Sequence, residues 1–475
     1  MKKLTARTKL CYGIGNLGYG TVAQTMNSFI MFFGTSILGI SGSLVGLAIA
    51  ISALWDGLSD PLIGYLSDKS KNNFFGKRLN FMFVATFGIA IFNILLWLIP
   101  SSLPMGIKFV WMLVSLLIIE TFNTMFATPY VALGIDIAPD YNEQSSVQGY
   151  KTVFFILGMI MPSLLMIIFM PQKAGGQGQF NQTGYIHIAL VTSILCLICG
   201  LISIFGTIKR AKACDYLPQP SKTKKQKNGL WKVVNEFFYA LKSENYGPII
   251  LGYSVALISS AFLISVGMHL FTYSYHFNSV QIPIIMAILF LSAIVSQPVW
   301  IYLSNRLDKK PTLSIALTII LLGIGLTSVT FIFREFLTNP SLFFLACPCI
   351  FICGFGTGAL YSLPISMYAD VITLDRLKSG ENKSATYSGF MTLAFNIANS
   401  IALLIIGVLL DLIKFDSSQP VQAKSVQNAL GFIVFVGCAL SIALSMMLFS
   451  KYKVKRADVL KAQMRENKRQ NVKNG

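Results

Sequence analysis

SDPLIGYLSD (residues 59–68) aligns without gaps to SQPVWIYLSN (residues 296–305), with five of ten residues identical at an offset of 237. That offset is half of the 475-residue chain. A second, weaker echo pairs TPYVALGIDIAPDY (128–141) with LPISMYADVITLDR (363–376) at an offset of 235. One short match can arise by chance, but two at nearly one offset point to an internal duplication. Both copies of the first pair run into a basic loop, KSKNNFFGKR (69–78) and RLDKK (306–310).

The surroundings show what is duplicated. The chain is 54% hydrophobic and only 12% charged, with mean hydropathy +0.65. A soluble domain carries about 25% charged residues. Apolar runs of about 20 residues recur throughout, as bilayer-crossing helices require. They predict about twelve spans: 10–37, 43–68, 80–100, 107–134, 148–170, 184–208, 248–273, 279–304, 311–333, 341–368, 384–413 and 427–450. A polar stretch, 209–246, separates the sixth from the seventh. The expected organisation is an N-terminal six-helix half (1–208), a cytoplasmic linker (209–246), a C-terminal six-helix half (247–450) and a basic cytoplasmic tail (451–475). The fold class is therefore all-α membrane protein. Two repeated six-helix halves are the architecture of the major facilitator fold, with a substrate site between them near mid-membrane.

Charge supplies orientation. The net charge of +19 does not require a nucleic-acid partner, because 32 of the 38 Lys and Arg fall in segments assigned to one side. This is the positive-inside asymmetry, and it places both termini and the linker in the cytoplasm. The expected location is the plasma (inner) membrane, multi-pass, in contact with the bilayer. The basic N-terminus, MKKLTARTKL, lacks signal-peptide anatomy, so the next segment is expected to be a permanent span. Segment 231–243, WKVVNEFFYALKS, has the pattern of a short interfacial amphipathic helix. Nothing marks a subunit interface, and a monomer is expected. With three His, no metal-ligand constellation and no nucleophile motif, the chain is expected not to be an enzyme and to need no cofactor. The cysteines of CLIC (196–199) and CPC (347–349) lie in apolar runs and are read as packing residues. The glycines of CGFGTGA (353–359) lie inside a span and are read as helix-contact positions, not a nucleotide loop.

Against this apolar background, Asp56 and Asp60 stand out. They are i and i+4 on the second span, on one face and about 5–6 Å apart. Each ionised acid at mid-bilayer costs about 2.5–3.5 kcal/mol on insertion scales, and two like charges so close repel. A small hard cation or a proton between them relieves both penalties, and Ser59 adds a hydroxyl oxygen. A pairing base, or capping of the span end, is the bland alternative, and few bases are available. In the fourth span Glu120 and Thr124 repeat the i, i+4 spacing, and Thr124 is a neutral oxygen ligand candidate. Glu120 either ligates or accepts hydrogen bonds from a neighbour. Lys151 is the Lys or Arg best placed to reach the interior. Tyr19, Tyr130, Tyr150 and Trp300 offer aromatic faces, or simply pack. Asp68, with Lys77 and Arg78, and Asp136 and Asp370 lie at cytoplasmic span ends and are expected to act as gating latches; Asp140 and Asp375 are latches or solvated caps.

WDGLSDPLIGYLSD, the delayed GKR, PYVALGIDIAPDY and LPISMYADVITLDRLKSGEN together resemble the glycoside–pentoside–hexuronide:cation symporter family. This is the melibiose-carrier-like branch of the major facilitator superfamily, and the resemblance covers nearly the whole chain. It implies that Asp56, Ser59, Asp60 and Thr124 bind a coupling cation, Na⁺, Li⁺ or H⁺, and that Lys151 is the family's basic residue early in span five. Where sugar-carrying members have an acid in spans one and four, this chain has Tyr19-Gly20 and Ala127. Where they have a lysine in span eleven, Phe395 or Asn396 stands here. CY-x-IG-x-x-x-Y (11–19), E-T-x-x-T (120–124) and PY-x-AL (129–133) are closer to the sodium-dependent lysophosphatidylcholine carriers of the same family.

The implied function is a cation-coupled (Na⁺ or H⁺) secondary symporter importing a small solute by alternating access, first of all a sugar or glycoside. The expected substrate-binding set is Tyr19, Glu120, Tyr130, Lys151 and Asn396. A cation-coupled lysophospholipid carrier of the same family is the alternative, and a non-transporting membrane receptor is the third reading.

Overall fold

The computed structural model describes residues 4–70, 78–138, 141–171, 178–215, 240–379, 384–416, 419, 421–459 and 461. The central part of the expected linker, 216–239, and most of the basic tail lie outside the described residues, as do Lys77 and Asp140. All regular structure among the described residues is helical. In chain order the α-helices are α1 (Ala6–Phe32), α2 (Gly42–Lys69), α3 (Leu79–Trp97), α4 (Met105–Ile137), α5 (Tyr141–Phe169), α6 (Gln182–Asp215), α7 (Tyr246–His269), α8 (Gln281–Val295), α9 (Gln297–Leu307), α10 (Lys309–Ile332), α11 (Asn339–Ser379), α12 (Ser384–Leu412) and α13 (Lys424–Ser450).

Among the described residues, eleven segments are long and apolar enough to cross a membrane. The twelfth expected span is α1, 27 residues or about 40 Å long. It falls short on hydropathy because Asn16, Thr21, Gln24 and Thr25 stand among its glycines. Those side chains are buried, so α1 meets neighbouring helices with its polar positions. The outward-facing positions of the other helices carry Val84, Ile91, Val110, Ile168 and Phe205, all exposed. A belt of exposed large apolar residues is stable only in an apolar surrounding.

The duplication is also written in the backbone. α1 ends in a π-helical turn at Phe33–Ile37, and α7 ends in one at Leu270–Ser274. The Leu38 N–H donates to Phe33 O and the Ile40 N–H to Gly34 O; the Tyr275 N–H donates to Leu270 O and the Phe277 N–H to Phe271 O. Every atom in the second set stands 237 residues after its counterpart in the first. The copies diverge at the motif that revealed them. α2 runs unbroken through Pro61, whereas the second copy breaks at Ser296 and restarts as α9 with Pro298 in its first turn.

Two compact units are formed by contact. Unit 1 holds residues 1–224 together with 264–284 and 403–428; unit 2 holds 225–263, 285–402 and 429–475. Within unit 1, α1 packs on α5 and α6, α2 on α4, and α3 on α4 and α6. Cys196 and Cys199 are buried against Gly18 of α1, where a Cβ on the glycine would meet Cys196 Cα at 2.8 Å. The helix ends in 264–284 and 403–428 are tied into the same unit by specific polar contacts. Thr35 Oγ1 and His269 Nε2 lie 2.7 Å apart. Gln179 Nε2 donates to Phe277 O at 3.2 Å. The Asp411 carboxylate caps α2, accepting the Gly42 N–H at 2.6 Å and the Ser43 N–H at 2.9 Å. Gly42, Gly46 and Gly407 make this approach possible: a Cβ on Gly407 would lie 2.2 Å from Gly42 O. Within unit 2, α10 packs on α11.

Candidate functional site

α2 and α4 lie side by side and run in the same direction, so residues one turn apart on α2 meet residues one turn apart on α4. Three rungs join them. Trp55 Nε1 donates to Thr121 Oγ1 at 2.8 Å. Thr124 Oγ1 donates to Asp56 Oδ1 at 3.0 Å. Thr128 Oγ1 donates to Asp60 Oδ1 at 3.1 Å. Ser59, between the acids, has its hydroxyl 3.0 Å from Thr124 Oγ1 and 3.1 Å from Asp56 O. Ser59 and Thr124 are buried. Asp56, Ser59, Asp60 and Thr124 are thus brought together, and each carboxylate receives a threonine hydroxyl of its own. Thr128 is the addition: its one signal in the sequence is the i+4 spacing from Thr124.

A third acid adjoins this ladder. Glu120 Oε2 accepts from Asn123 Nδ2 at 3.1 Å, and Glu120 lies within electrostatic reach of Asp56 and Asp60. Tyr19 of α1 is within reach of all three carboxylates, its ring stacked on Phe126 at 6.0 Å. Among the described residues no Lys or Arg pairs with Asp60 or Glu120. The buried Asn123 Oδ1 has no hydrogen-bond partner among the described residues. All of these donor atoms are oxygens, the set a hard cation takes. Among the described residues no three His, Cys, Asp or Glu converge on one point.

Of the expected substrate residues, Tyr19, Glu120, Tyr130 and Lys151 belong to unit 1 and Asn396 to unit 2. Tyr130 is buried, stacked on Tyr12 with ring centroids 4.4 Å apart. The two tyrosines are cross-bonded: Tyr12 O–H donates to Tyr130 O at 3.1 Å and Tyr130 O–H to Tyr12 O at 2.8 Å. The Tyr130 hydroxyl thereby takes part in packing α1 against α4. Lys151 Nζ sits 5.8 Å from the centre of that ring, and Asn16 Nδ2 donates to the Lys151 carbonyl at 3.2 Å. Trp300 is likewise buried, its Nε1 donating to Phe355 O at 2.8 Å. Asn396 is buried in α12, within unit 2. Gln297, which aligns with Asp60, donates to Gly358 O at 2.7 Å. The second copy has a backbone-bonded amide where the first has a carboxylate.

Among the described residues, each unit has an ion pair at a comparable place. In unit 1 Arg78 Nε meets Asp136 Oδ2 at 3.1 Å. In unit 2 Lys309 Nζ meets Asp370 Oδ2 at 2.5 Å. Each joins the entry of one helix, α3 or α10, to the far part of the next, α4 or α11. Lys309 adds a member to the expected latch set, and the Asp68 side chain lies outside the described residues.

The family described as "MFS/sugar transport protein" matches residues 11–456. The chain belongs to it. An uncharacterised symporter of Synechocystis is 25% identical, with 90% of this chain and 89% of the relative covered. The sodium-dependent lysophosphatidylcholine symporter 1-A of Danio rerio is 22% identical, with 95% of this chain and 86% of the relative covered. The crystal structure of the nucleoside transporter NupG superposes with a TM-score of 0.62 at 13% identity, covering 95% of this chain and all of that one, a likeness of fold alone. The protein is a multi-pass integral membrane protein of the major facilitator fold, and its family and its relatives are transporters and symporters, not enzymes.

Proposed function

We propose that this protein is a cation-coupled symporter whose coupling ion binds between α2 and α4. The observation that carries this reading is the pair of acids, Asp56 and Asp60, each held by a threonine of α4, with no Lys or Arg on Asp60 or on neighbouring Glu120 among the described residues. A half-buried acid without a base is stabilised by an ion that arrives and leaves. Na⁺ is the favoured ion, because the site offers hydroxyl and amide oxygens beside the carboxylates and because the lysophosphatidylcholine relatives are named as sodium-dependent. The Arg78–Asp136 and Lys309–Asp370 pairs are then latches, one per repeat, that loosen as the transporter cycles. The positive-inside asymmetry puts both termini in the cytoplasm of a cell whose plasma membrane holds the protein.

For the substrate, an amphiphile of the lysophospholipid class is the favoured reading. It is supported by relatives matched over 95% of this chain and by Tyr19-Gly20 and Ala127 standing where sugar-carrying members have acids. A sugar or glycoside is the second reading, supported by the family's description as a sugar transport protein. Proteoliposomes with an inward Na⁺ gradient separate them. Lysophosphatidylcholine uptake that needs the gradient and is lost in Asp56→Asn supports the first; sodium-driven uptake of a glycoside, with none of the lysolipid, replaces it. Gradient-driven uptake that survives Asp56→Asn and Asp60→Asn would sink the coupling site.

A further inference from the structure

α6 is 34 residues long, about 51 Å at 1.5 Å per residue, against a hydrocarbon core about 30 Å thick. Its last turns therefore stand at the level of lipid headgroups. There they carry Lys209 and Arg210 and meet the first turn of α1. A cavity of about 460 Å³ lies between the two helix ends, lined by Thr5, Arg7, Thr8, Lys209, Arg210 and Phe205 among others. All of it belongs to unit 1.

Three cations, Arg7, Lys209 and Arg210, line this space. Among the described residues no Asp or Glu pairs with Arg7, Lys209 or Arg210. The first turn of α1 holds no acid, and the Glu143 carboxylate accepts the Leu4 N–H at 2.6 Å. Arg210 is the fixed member: its Nε donates to Ile137 O at 3.2 Å, which sets the plane of the guanidinium. Its Nη2 is buried and has no hydrogen-bond partner among the described residues. A guanidinium edge matches two oxygens of a phosphate. The Thr5 and Thr8 hydroxyls, 3.0 Å apart, stand at the positive end of α1. Phe205 is 55% exposed and continues the wall toward the membrane face.

We propose that this cavity binds a phosphate group, presented by an anionic phospholipid of the adjoining leaflet or by free phosphate. Phe205 favours the lipid, since it gives the glycerol and first methylenes an apolar surface that inorganic phosphate does not use. The site is separate from the α2–α4 ladder and does not depend on which solute is carried.

The test uses the full chain, purified in detergent, stripped of lipid and kept at constant ionic strength. Melting is followed against short-chain phosphatidylglycerol, short-chain diacylglycerol, which lacks the phosphate, and inorganic phosphate. Phosphatidylglycerol is expected to stabilise the protein at concentrations at least about tenfold below diacylglycerol, and Arg210→Gln to weaken that response about tenfold or more. Lys209→Gln, an exposed position, is expected to weaken it in the same direction while leaving the ligand-free melting temperature unchanged, which separates lost binding from lost folding. Inorganic phosphate that stabilises as strongly as the lipid, with the same dependence on Arg210 and Lys209, identifies the free ion as the source. Diacylglycerol and phosphatidylglycerol acting alike with no effect of phosphate, or both variants responding as the wild type does, would overturn the proposal.

Discussion

Replacing Asp60 by Asn removes a charge and keeps the shape. An amide Oδ1 still accepts the Thr128 hydroxyl, which donates to Asp60 at 3.1 Å in the native site. Asp56 and Asp60 are one helical turn apart, about 6 Å. At an effective dielectric of about 20, two unit charges at that distance repel by about 3 kcal/mol. With no cation bound the repulsion destabilises the native protein; with a cation bound it is offset. The Asn variant is therefore expected to melt above the wild type in cation-free buffer. Its affinity for Na⁺ falls by roughly a hundredfold, the factor that about 3 kcal/mol represents. At a Na⁺ concentration of about 100 times the wild-type Kd, the wild type gains about 2.7 kcal/mol, while the variant, now near its own Kd, gains about 0.4 kcal/mol. Thermal melting in NaCl and in choline chloride reads both effects. The variant's lead of about 3 kcal/mol in choline chloride must shrink to under about 1 kcal/mol in NaCl. A lead of the same size in both salts would refute the reasoning.

Thr128→Ala removes the second rung and is expected to weaken sodium stabilisation about tenfold, with Thr128→Ser restoring most of it, because a hydrogen bond to a charged group contributes about 1.5–3 kcal/mol; sodium-titrated melting of the two variants checks this. Asp411→Ala takes the cap from the Gly42 and Ser43 N–H groups and is expected to lower stability by about 1–2 kcal/mol, read as a lower melting temperature that sodium does not restore. Arg78 and Asp136 are partly exposed, at 16% and 33%, so a double-mutant cycle on stability is expected to give under about 1 kcal/mol of coupling. Transport should be slowed by either single change, and a coupling of several kcal/mol would make the pair a structural element and not a latch.

The apolar runs predict helix positions closely because bilayer thickness sets span length, and α2, expected at 43–68, runs Gly42–Lys69. The acids were readable for a related reason: in a membrane an ionised group needs a purpose, and the i, i+4 spacing fixes which groups share a face. The partners across the helix pair were less so. Thr124 stands out beside Glu120, whereas Thr128 is absorbed into the repeat motif before Pro129, and only the parallel course of α2 and α4 reveals it as the rung for Asp60. The paired π-turns share a single Thr between FGTSI and LFTYS at matching positions, so hydrogen-bond geometry shows the repeat where residue identity does not. The break at Ser296 left no separate mark, since Pro61 stands in an unbroken helix in the first copy. The reciprocal bonds between Tyr130 and Tyr12 were equally invisible in the sequence, since they join residues 118 positions apart. Compactness, too, escapes the sequence, because Asp411, Thr35 and Gln179 make their contacts across hundreds of residues or between distant helix ends.

The most direct test of a cation site between α2 and α4 is equilibrium binding of radiolabelled ²²Na⁺ to the purified protein, wild type beside Asp56→Asn. The account predicts saturable binding of about one ion per chain that the variant loses while its fold, read by circular dichroism, is unchanged. Saturable sodium binding of equal affinity in the variant, or none in the wild type at any pH where it is folded, would contradict it.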